Sequence, residues 1–415
     1  MESTQHNFKI GKYVCVYLLI TYILYLTLPI SRTQSGAVEL YTIFFLIFVC
    51  ISFYMGCRSI HINVMPPTKH INRKIISSTQ ITIILTALSI IQSMYIVDLI
   101  NSGIASLSAT MGEAYAERLQ AEVSGNSLWG QFYVLASPVR VLMIVYCTYY
   151  FNYLSKISKI LYFILVALAI LYSIAQGVQV GIGNIAVYIL IPLYFRKRKE
   201  NKLNQLRLVL IVFVVLFTAF FIINQYQRAE VFGSDVGASI SDKDNIYYTI
   251  FGEKIGAGII RLLSYVSHGY LGLNYSLQLP FEWTYGYGGS RALNQYLTQY
   301  LQLPSQFEYA YPMRVFAVFG YDCQQSWPTA FAWWASDFSF PGVVVLMYFI
   351  GKITCMVFRD AIQNDNIIAM AFMSVLVIML VFLPMNNQIL QARDSLVTTI
   401  VLAFLWYRSR KKTKA

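Results

Sequence analysis

Charge is what this sequence has least of. Only 12% of its 415 residues are Asp, Glu, Lys or Arg, while 57% are hydrophobic. A soluble globule carries about twice that share of charge, so that class is excluded. Histidine is scarcer still, with four in the chain: His6, His61, His70 and His268. The six cysteines, Cys15, Cys50, Cys57, Cys147, Cys323 and Cys355, form no CxxC pair. Neither a disulfide framework nor a thiolate metal site is therefore expected. No GxxxxGKS or GxxxxGKT stretch occurs, and no GxGxxG follows a strand pattern. A nucleotide site is excluded on that ground, and no cofactor and no metal are predicted. Internal repeats and low-complexity tracts are missing as well. The centres of the first, second, fifth, seventh and ninth apolar segments hold no ionisable Asp, Glu, Lys or Arg. Ion-coupled carriers keep such groups inside the membrane, which disfavours that class.

What is present in quantity is apolar run. A bilayer core demands ~20 such residues per helix, and runs of this kind fall at 13–30, 38–55, 75–97, after 130, 160–195, 208–224, 342–358, 367–383 and 395–407. As one helix, 160–195 would be ~54 Å long against a core of ~30 Å. It must fold back, with the turn placed at 176–184 by Gly177, Gly181 and Gly183. Ser137-Pro138 has the form of an N-cap and first helical residue, so the regular part of the fourth span is expected to begin at Pro138. Residues 98–130 are a polar excursion, with a short amphipathic helix predicted over 111–123. The expected fold is an all-α polytopic membrane protein of about ten transmembrane helices by the bilayer-length rule. It divides into an N-terminal bundle at 1–224, a large loop at 225–341 carrying amphipathic or re-entrant helices, and a C-terminal bundle at 342–415.

The net charge of +12 is explained by topology rather than by nucleic acid. Of the 31 Lys and Arg, 21 fall on one side of the alternating spans, with the dense run Arg196-Lys197-Arg198-Lys199 among them. The positive-inside rule puts that side, and both termini, in the cytoplasm and the large loop outside. The first apolar run has no small-residue cleavage site and reads as a retained span.

The large loop is where chemistry concentrates. It carries Arg228, Lys243, Lys254, Arg261, Arg291 and Arg314, together with His268. Arginine forks bind phosphate bidentately. Arg140 and Arg393 join this set near the outer ends of their spans. Arg228 and Arg393 serve equally as interface anchors, whereas Arg140, flanked by Val139, Val141 and Leu142, favours a site. Residues 251–279 read as a membrane-lying or re-entrant helix. On it Arg261 and His268, seven apart, would differ by only ~20° and ~10 Å along the axis, with Tyr265 between them. Histidine takes a proton near neutral pH, or alternatively closes a helix-to-turn cap. Arg291 follows Gly286-Tyr287-Gly288-Gly289-Ser290, a turn able to present backbone N–H groups to an anion. Arg314 is a second clamp or a loop ion pair. Asp337 is a reserve base or a helix cap.

Two further patterns have two readings each. Asp242-Lys243-Asp244 has the DxD form used for divalent metals, but it lies in a Ser/Asp-rich loop and is read as chance. Trp283, Tyr285, Tyr287, Tyr309, Tyr311, Tyr321 and Trp327 fall deep in the loop. Interface belts account for some aromatics, and sugar faces suit others. Tyr265, Tyr270, Trp283, Tyr287, Tyr311 and Trp327 are the candidate sugar contacts.

The chain resembles the bacterial O-antigen polymerases, the oligosaccharide repeat-unit polymerase family. The resemblance spans nearly the whole length in layout. At residue level it rests on Arg261-Leu-Leu-Ser-Tyr-Val-Ser-His268-Gly269-Tyr270, on Gly288-Gly289-Ser290-Arg291, and on the stretch from Gly320 through Asp337 to Gly342. It implies an enzyme of the bacterial inner membrane that works at the periplasmic face. A growing glycan would leave undecaprenyl pyrophosphate and join the terminal sugar of a new lipid-linked repeat. The partners implied are the undecaprenyl-pyrophosphate-linked oligosaccharide, a chain-length regulator and the bilayer. In that scheme Arg261, Arg291, Arg314, Arg140 and Arg228 hold pyrophosphate, and His268 or Asp337 handles the proton. An O-antigen ligase shares the layout and the outer arginines. A lipid-linked oligosaccharide flippase should show two related halves and a charged cavity, and a membrane acyltransferase needs a histidine deep in a span. Neither signature is found.

Overall fold

The structure, a computed structural model, describes residues 2–30, 36–60, 76–120, 127–232, 244–321, 323 and 327–414. Its helices, in chain order, are α1 Glu2–Thr27, α2 Gly36–Arg58, α3 Ser78–Asn101, α4 Met111–Gln120, α5 Leu128–Tyr149, α6 Lys156–Ala175, α7 Val180–Lys199, α8 Leu203–Phe232, α9 Ile246–Tyr265, α10 Gly269–Ser276, α11 Arg291–Leu301, α12 Tyr311–Phe319, α13 Ala330–Gln363, α14 Ile367–Phe382, α15 Gln388–Gln391 and α16 Arg393–Lys414. No strand occurs among the described residues. Eight of these helices, α1, α2, α3, α5, α6, α7, α8 and α13, are long and apolar enough to cross a membrane. The apolar α14 is shorter, at 16 residues. The expected last span lies inside α16, whose apolar stretch is closed off by Arg393 and Asp394 at one end and Arg408 and Arg410 at the other. The chain is a polytopic helical membrane protein.

Two compact units interleave along the sequence instead of following the three consecutive blocks expected from hydropathy. One comprises Met1–Met65, Asp235–Arg359 and Leu376–Leu396; the other comprises Pro66–Ser234, Asp360–Val375 and Val397–Ala415. In the first, α2 and α13 touch backbone to backbone. A Cβ on Gly56 would overlap the Tyr348 carbonyl, and one on Gly351 would overlap the Phe53 carbonyl. The close approach lets Ser52 Oγ donate to the Val344 carbonyl at 2.5 Å and Cys57 Sγ to the Gly351 carbonyl at 3.4 Å. Small residues at helix crossings serve this purpose in membranes, where lipid tails remove the hydrophobic drive for association. The short α10 is embedded rather than interfacial. Its Tyr270 is fully buried against Tyr22 and Tyr25 of α1. Its Asn274 accepts from Thr42 and donates to the Tyr25 hydroxyl.

The second unit is built on α3, α5 and α6, which enclose Ile81, Leu85, Leu88, Met143, Ile144 and Leu165. α3 opens on a capping box in which Ser77 accepts from the Gln80 amide and the Gln80 side chain accepts from the Ser77 amide. The fourth span does not wait for Pro138. Ser127 caps α5 through the Gly130 amide at 2.9 Å, and Pro138 lies in the helix interior. Proline there cannot donate to the carbonyl four residues back. That carbonyl, on Val134, instead accepts from Ser137 Oγ at 2.7 Å. The long apolar run folds back as expected: α6 ends at Ala175, α7 starts at Val180, and Gly177 sits between them at φ +65°. α4 covers Met111–Gln120, so residues 121–123 of the predicted amphipathic helix lie outside the described residues.

Candidate functional site

The stretch expected to be one helix over 251–279 is broken twice. Gly252, at φ 75° and ψ 164°, divides α9 near its start. The regular helix stops at Tyr265, and Val266, Ser267 and His268 form the turn into α10. The fixed register proposed for Arg261, Tyr265 and His268 therefore does not hold. Arg261 and Tyr265 remain four apart on α9, half-buried and exposed respectively. His268 is set by the turn, where its amide donates to the Ser264 carbonyl at 2.7 Å. Its imidazole packs against the Tyr321 ring with centroids 5.6 Å apart, and Nδ1 is buried with no hydrogen-bond partner among the described residues. Burial disfavours the imidazolium and pushes the His268 pKa down to about 4. The side chain is thus a neutral imidazole at pH 7.

The glycine turn before Arg291 does cradle an anion, but the anion belongs to the protein. Asp337 Oδ1 accepts from Thr284 Oγ1 at 2.5 Å and from the Gly288 amide at 3.2 Å, while Oδ2 accepts from the Gly289 amide at 3.1 Å. Asp337 is neither a free base nor the cap of the following span. The break in α13 falls at Ser339, whose Oγ accepts from the Gly342 amide at 3.4 Å and so takes the capping place. Gly289 leaves no room for a side chain, since a Cβ there would overlap the Trp333 carbonyl and Asp337 Oδ2. The same turn is tied to the link between α14 and α16. Asn387 Nδ2 donates to the Gly289 carbonyl at 3.1 Å, and Ser290 Oγ donates to the Leu390 carbonyl at 2.6 Å.

That docking positions two guanidinium groups along one helix. Ser290 caps α11 through the Leu293 amide, which makes Arg291 its first residue, with an exposed side chain. Arg291, Gln295 and Gln299 follow at four-residue intervals and share a face. Arg393 lies along that face, donating to Gln295 Oε1 at 3.4 Å and Gln299 Oε1 at 3.3 Å, with its guanidinium 5.6 Å from the Tyr296 ring centre. The link also reaches the His268 turn. The Ala330 amide donates to the Leu383 carbonyl at 2.9 Å, and the Thr329 amide donates to the carbonyl of Gly269 at 3.2 Å. His268, the first turns of α13, the glycine turn and the head of α11 are therefore joined through residues 383–391.

Other predicted residues are engaged inside the fold. Arg314 pairs with Glu282 at 2.7 Å, donates to the Pro280 carbonyl at 3.0 Å and lies 5.5 Å from the Tyr311 ring centre. It pins the segment before the glycine turn onto α12. Three of the six sugar-contact candidates have no face to offer. Tyr270 is fully buried and bonded to Thr21, Tyr287 is buried with its hydroxyl on the Pro304 carbonyl at 2.8 Å, and Tyr311 is buried with its hydroxyl on the Leu279 carbonyl at 3.4 Å. Trp283 is 58% exposed and packs on Tyr285 at 4.9 Å, and Tyr265 and Trp327 are partly exposed.

Arg140 belongs to the other unit, where its guanidinium lies 3.9 Å from the Tyr133 ring centre and donates to Gln92 Oε1 at 3.3 Å. The Arg228 side chain and Asp242-Lys243 of the DxD stretch lie outside the described residues. Among the described residues no three His, Cys, Asp or Glu side chains gather in a metal-binding group.

Sequence reasoning passed over Asn387, Gln295 and Gln299. The signal available was Asn386-Asn387, two residues after Pro384, with Gln388 and Gln391 following in a link of ten residues between apolar helices. No protein-family model, curated protein or solved structure matches the chain.

Proposed function

We propose that the chain is a membrane glycosyltransferase of the repeat-unit polymerase type. It would transfer a growing glycan from a polyprenyl pyrophosphate onto a lipid-linked repeat at the outer face of a bacterial inner membrane. In this reading about ten helices span the bilayer by the core-thickness rule. The glycine turn, α11 and the 383–391 link face the periplasm, and both termini face the cytoplasm. The observation that carries it is His268, a neutral imidazole with an unpartnered buried Nδ1, joined through one link to α11, which bears Arg291 at its head and has Arg393 of α16 along its face. A proton acceptor and a pyrophosphate clamp are the two parts such a transfer needs.

In the transfer, the acceptor hydroxyl oxygen forms a bond to the anomeric carbon as the bond from that carbon to the pyrophosphate oxygen breaks. His268 takes the hydroxyl proton. Its low basicity suits a proton that leaves late, once bond formation has acidified the hydroxyl. Arg291, supported by Arg393 and Arg261, neutralises the departing pyrophosphate. Asp337 and Arg314 position rather than react: the first holds the glycine turn, the second the segment ahead of it. Trp283, Tyr265 and Trp327 supply aromatic faces for sugar rings.

The test is a gel of cell-surface polysaccharide from a deletion strain complemented with variants. Arg291→Ala and His268→Ala should each cut polymer by ~100-fold or more, the scale of a lost electrostatic or acid–base contribution, at unchanged protein level. Full-length polymer from both variants would reject the assignment. A ligase would instead leave no repeat on the lipopolysaccharide core when deleted, whereas a polymerase leaves single repeats.

A further inference from the structure

Three buried polar atoms beside this site have no hydrogen-bond partner among the described residues: Thr329 Oγ1, Trp333 Nε1 and Asn387 Oδ1. Their residues are 0%, 4% and 1% exposed. A buried polar atom without a partner carries an uncompensated desolvation penalty, and native folds hold few of them. Here the three line adjoining segments. Thr329 immediately precedes α13, and Trp333 stands one turn further along it. The link that carries Asn387 runs against the same turns, with Leu383 bonded to Ala330 and Asn387 bonded to Gly289, the glycine packed on the Trp333 carbonyl.

Two of the groups are also held in place. Asn387 Nδ2 is engaged by the Gly289 carbonyl, which fixes Oδ1 as the remaining acceptor. The Trp333 ring is stacked on Phe307, with centroids 5.6 Å apart and planes 23° apart. The resulting array offers an indole N–H that only donates, an amide oxygen that only accepts and a hydroxyl that does both. It carries no charge. An anion would call for donors alone, a metal ion for acceptors alone and a hydrocarbon for neither. A ligand bearing hydroxyl groups, each both donor and acceptor, matches all three.

We infer that Thr329, Trp333 and Asn387 form a specificity-determining subsite for the hydroxyl groups of a neutral saccharide, the sugar presented to His268. The inference rests on the glycosyl-transfer reading, and it separates that reaction into a charged end on α11 and an uncharged end on α13.

The experiment uses the full-length protein in detergent with two probes. One is the phosphate-free oligosaccharide released by mild acid from the host's lipid-linked pool and labelled at its reducing end. The other is geranyl pyrophosphate. Equilibrium dialysis should find the oligosaccharide bound by the unaltered protein. Thr329→Val, Trp333→Phe and Asn387→Ala should each weaken it ~10-fold, the scale of one lost hydrogen bond, and Thr329→Ser should restore it. Geranyl pyrophosphate should bind all of these alike and lose affinity only with Arg291→Ala.

Unchanged oligosaccharide affinity in Thr329→Val and Asn387→Ala overturns the subsite, as does failure of the unaltered protein to bind the oligosaccharide. Equal loss of both probes also overturns it, since that marks a folding defect. If the deletion strain keeps its polymer while the three variants still lose the oligosaccharide, the subsite stands and the transfer reading falls.

Discussion

Each of the two compact units holds a charged side chain in a built setting, Asp337 in the first and Arg140 in the second, and the two settings work by different means. In the first, Asp337 is surrounded by the Gly288 and Gly289 amides and the Thr284 hydroxyl. In the second, Arg140 lies over the face of Tyr133 and against the Gln92 amide oxygen. The carboxylate is satisfied by donors that a backbone turn supplies, and the turn is locked by the contact. The guanidinium meets a ring on its own helix and a side-chain dipole on α3, a contact between helices rather than within a backbone turn. An ionised residue found beside a suspected site is thus not automatically a reagent, because it can be the fastener that shapes the site.

The sharpest way to break that contrast is Asp337→Ala. It strands two amides and a hydroxyl and should cost ~3 kcal/mol of stability, seen as a lower melting temperature of the purified protein. A variant that melts like the parent would show the carboxylate to be dispensable to the turn.

Acid should next separate His268 from these charged groups. Its pKa is lowered by burial to about 4, below the ordinary ~6.5. Between those values the unfolded chain binds a proton that the folded chain refuses. Stability should therefore be flat above about pH 6.5 and fall as pH drops toward 4. In membrane vesicles the acid limb of polymer formation should be centred near pH 4. A limb near 6.5 would mean that the imidazole is solvated.

Arg140→Leu removes a cation held by an aromatic face and should cost ~1–2 kcal/mol. A melting temperature unchanged by that substitution would remove the second half of the contrast. The smallest effect is expected from Glu282→Ala. The ion pair with Arg314 is half exposed on the glutamate side, so ~0.5 kcal/mol is at stake. Polymer yield should be unaffected, in contrast with Arg291→Ala.

The spans were legible because hydropathy acts over twenty residues at a time. The reversal after Ala175 followed from length alone, since no bilayer accommodates the whole run. The nest before Arg291 was also readable as an anion cradle from its glycines. What sequence could not reveal was that its anion lies 48 residues further along the chain. Tyr270 illustrates the same limit. A tyrosine in an outer loop and a tyrosine sealed among Tyr22, Tyr25 and Thr21 read identically until α1 is brought alongside. Pro138 misled for a local reason: the hydroxyl beside it repairs the missing helix bond, so a start signal became an interior residue. Thr329 carried no sequence signal beyond being polar, because its meaning lies in lacking a partner.

The break at Ser339 has a mechanical consequence. With φ 61° and ψ 165° the residue occupies backbone space that side chains disfavour, and it splits α13 into a short upper segment and a long shaft. Above the joint, the segment is pinned by the Gly269 and Leu383 carbonyls and by the Asp337 cradle. Below it, the shaft answers to lipid and to α2. Because the helix direction is reset at that one residue, a tilt imposed on the shaft would not have to pass into the pinned segment that carries Trp333.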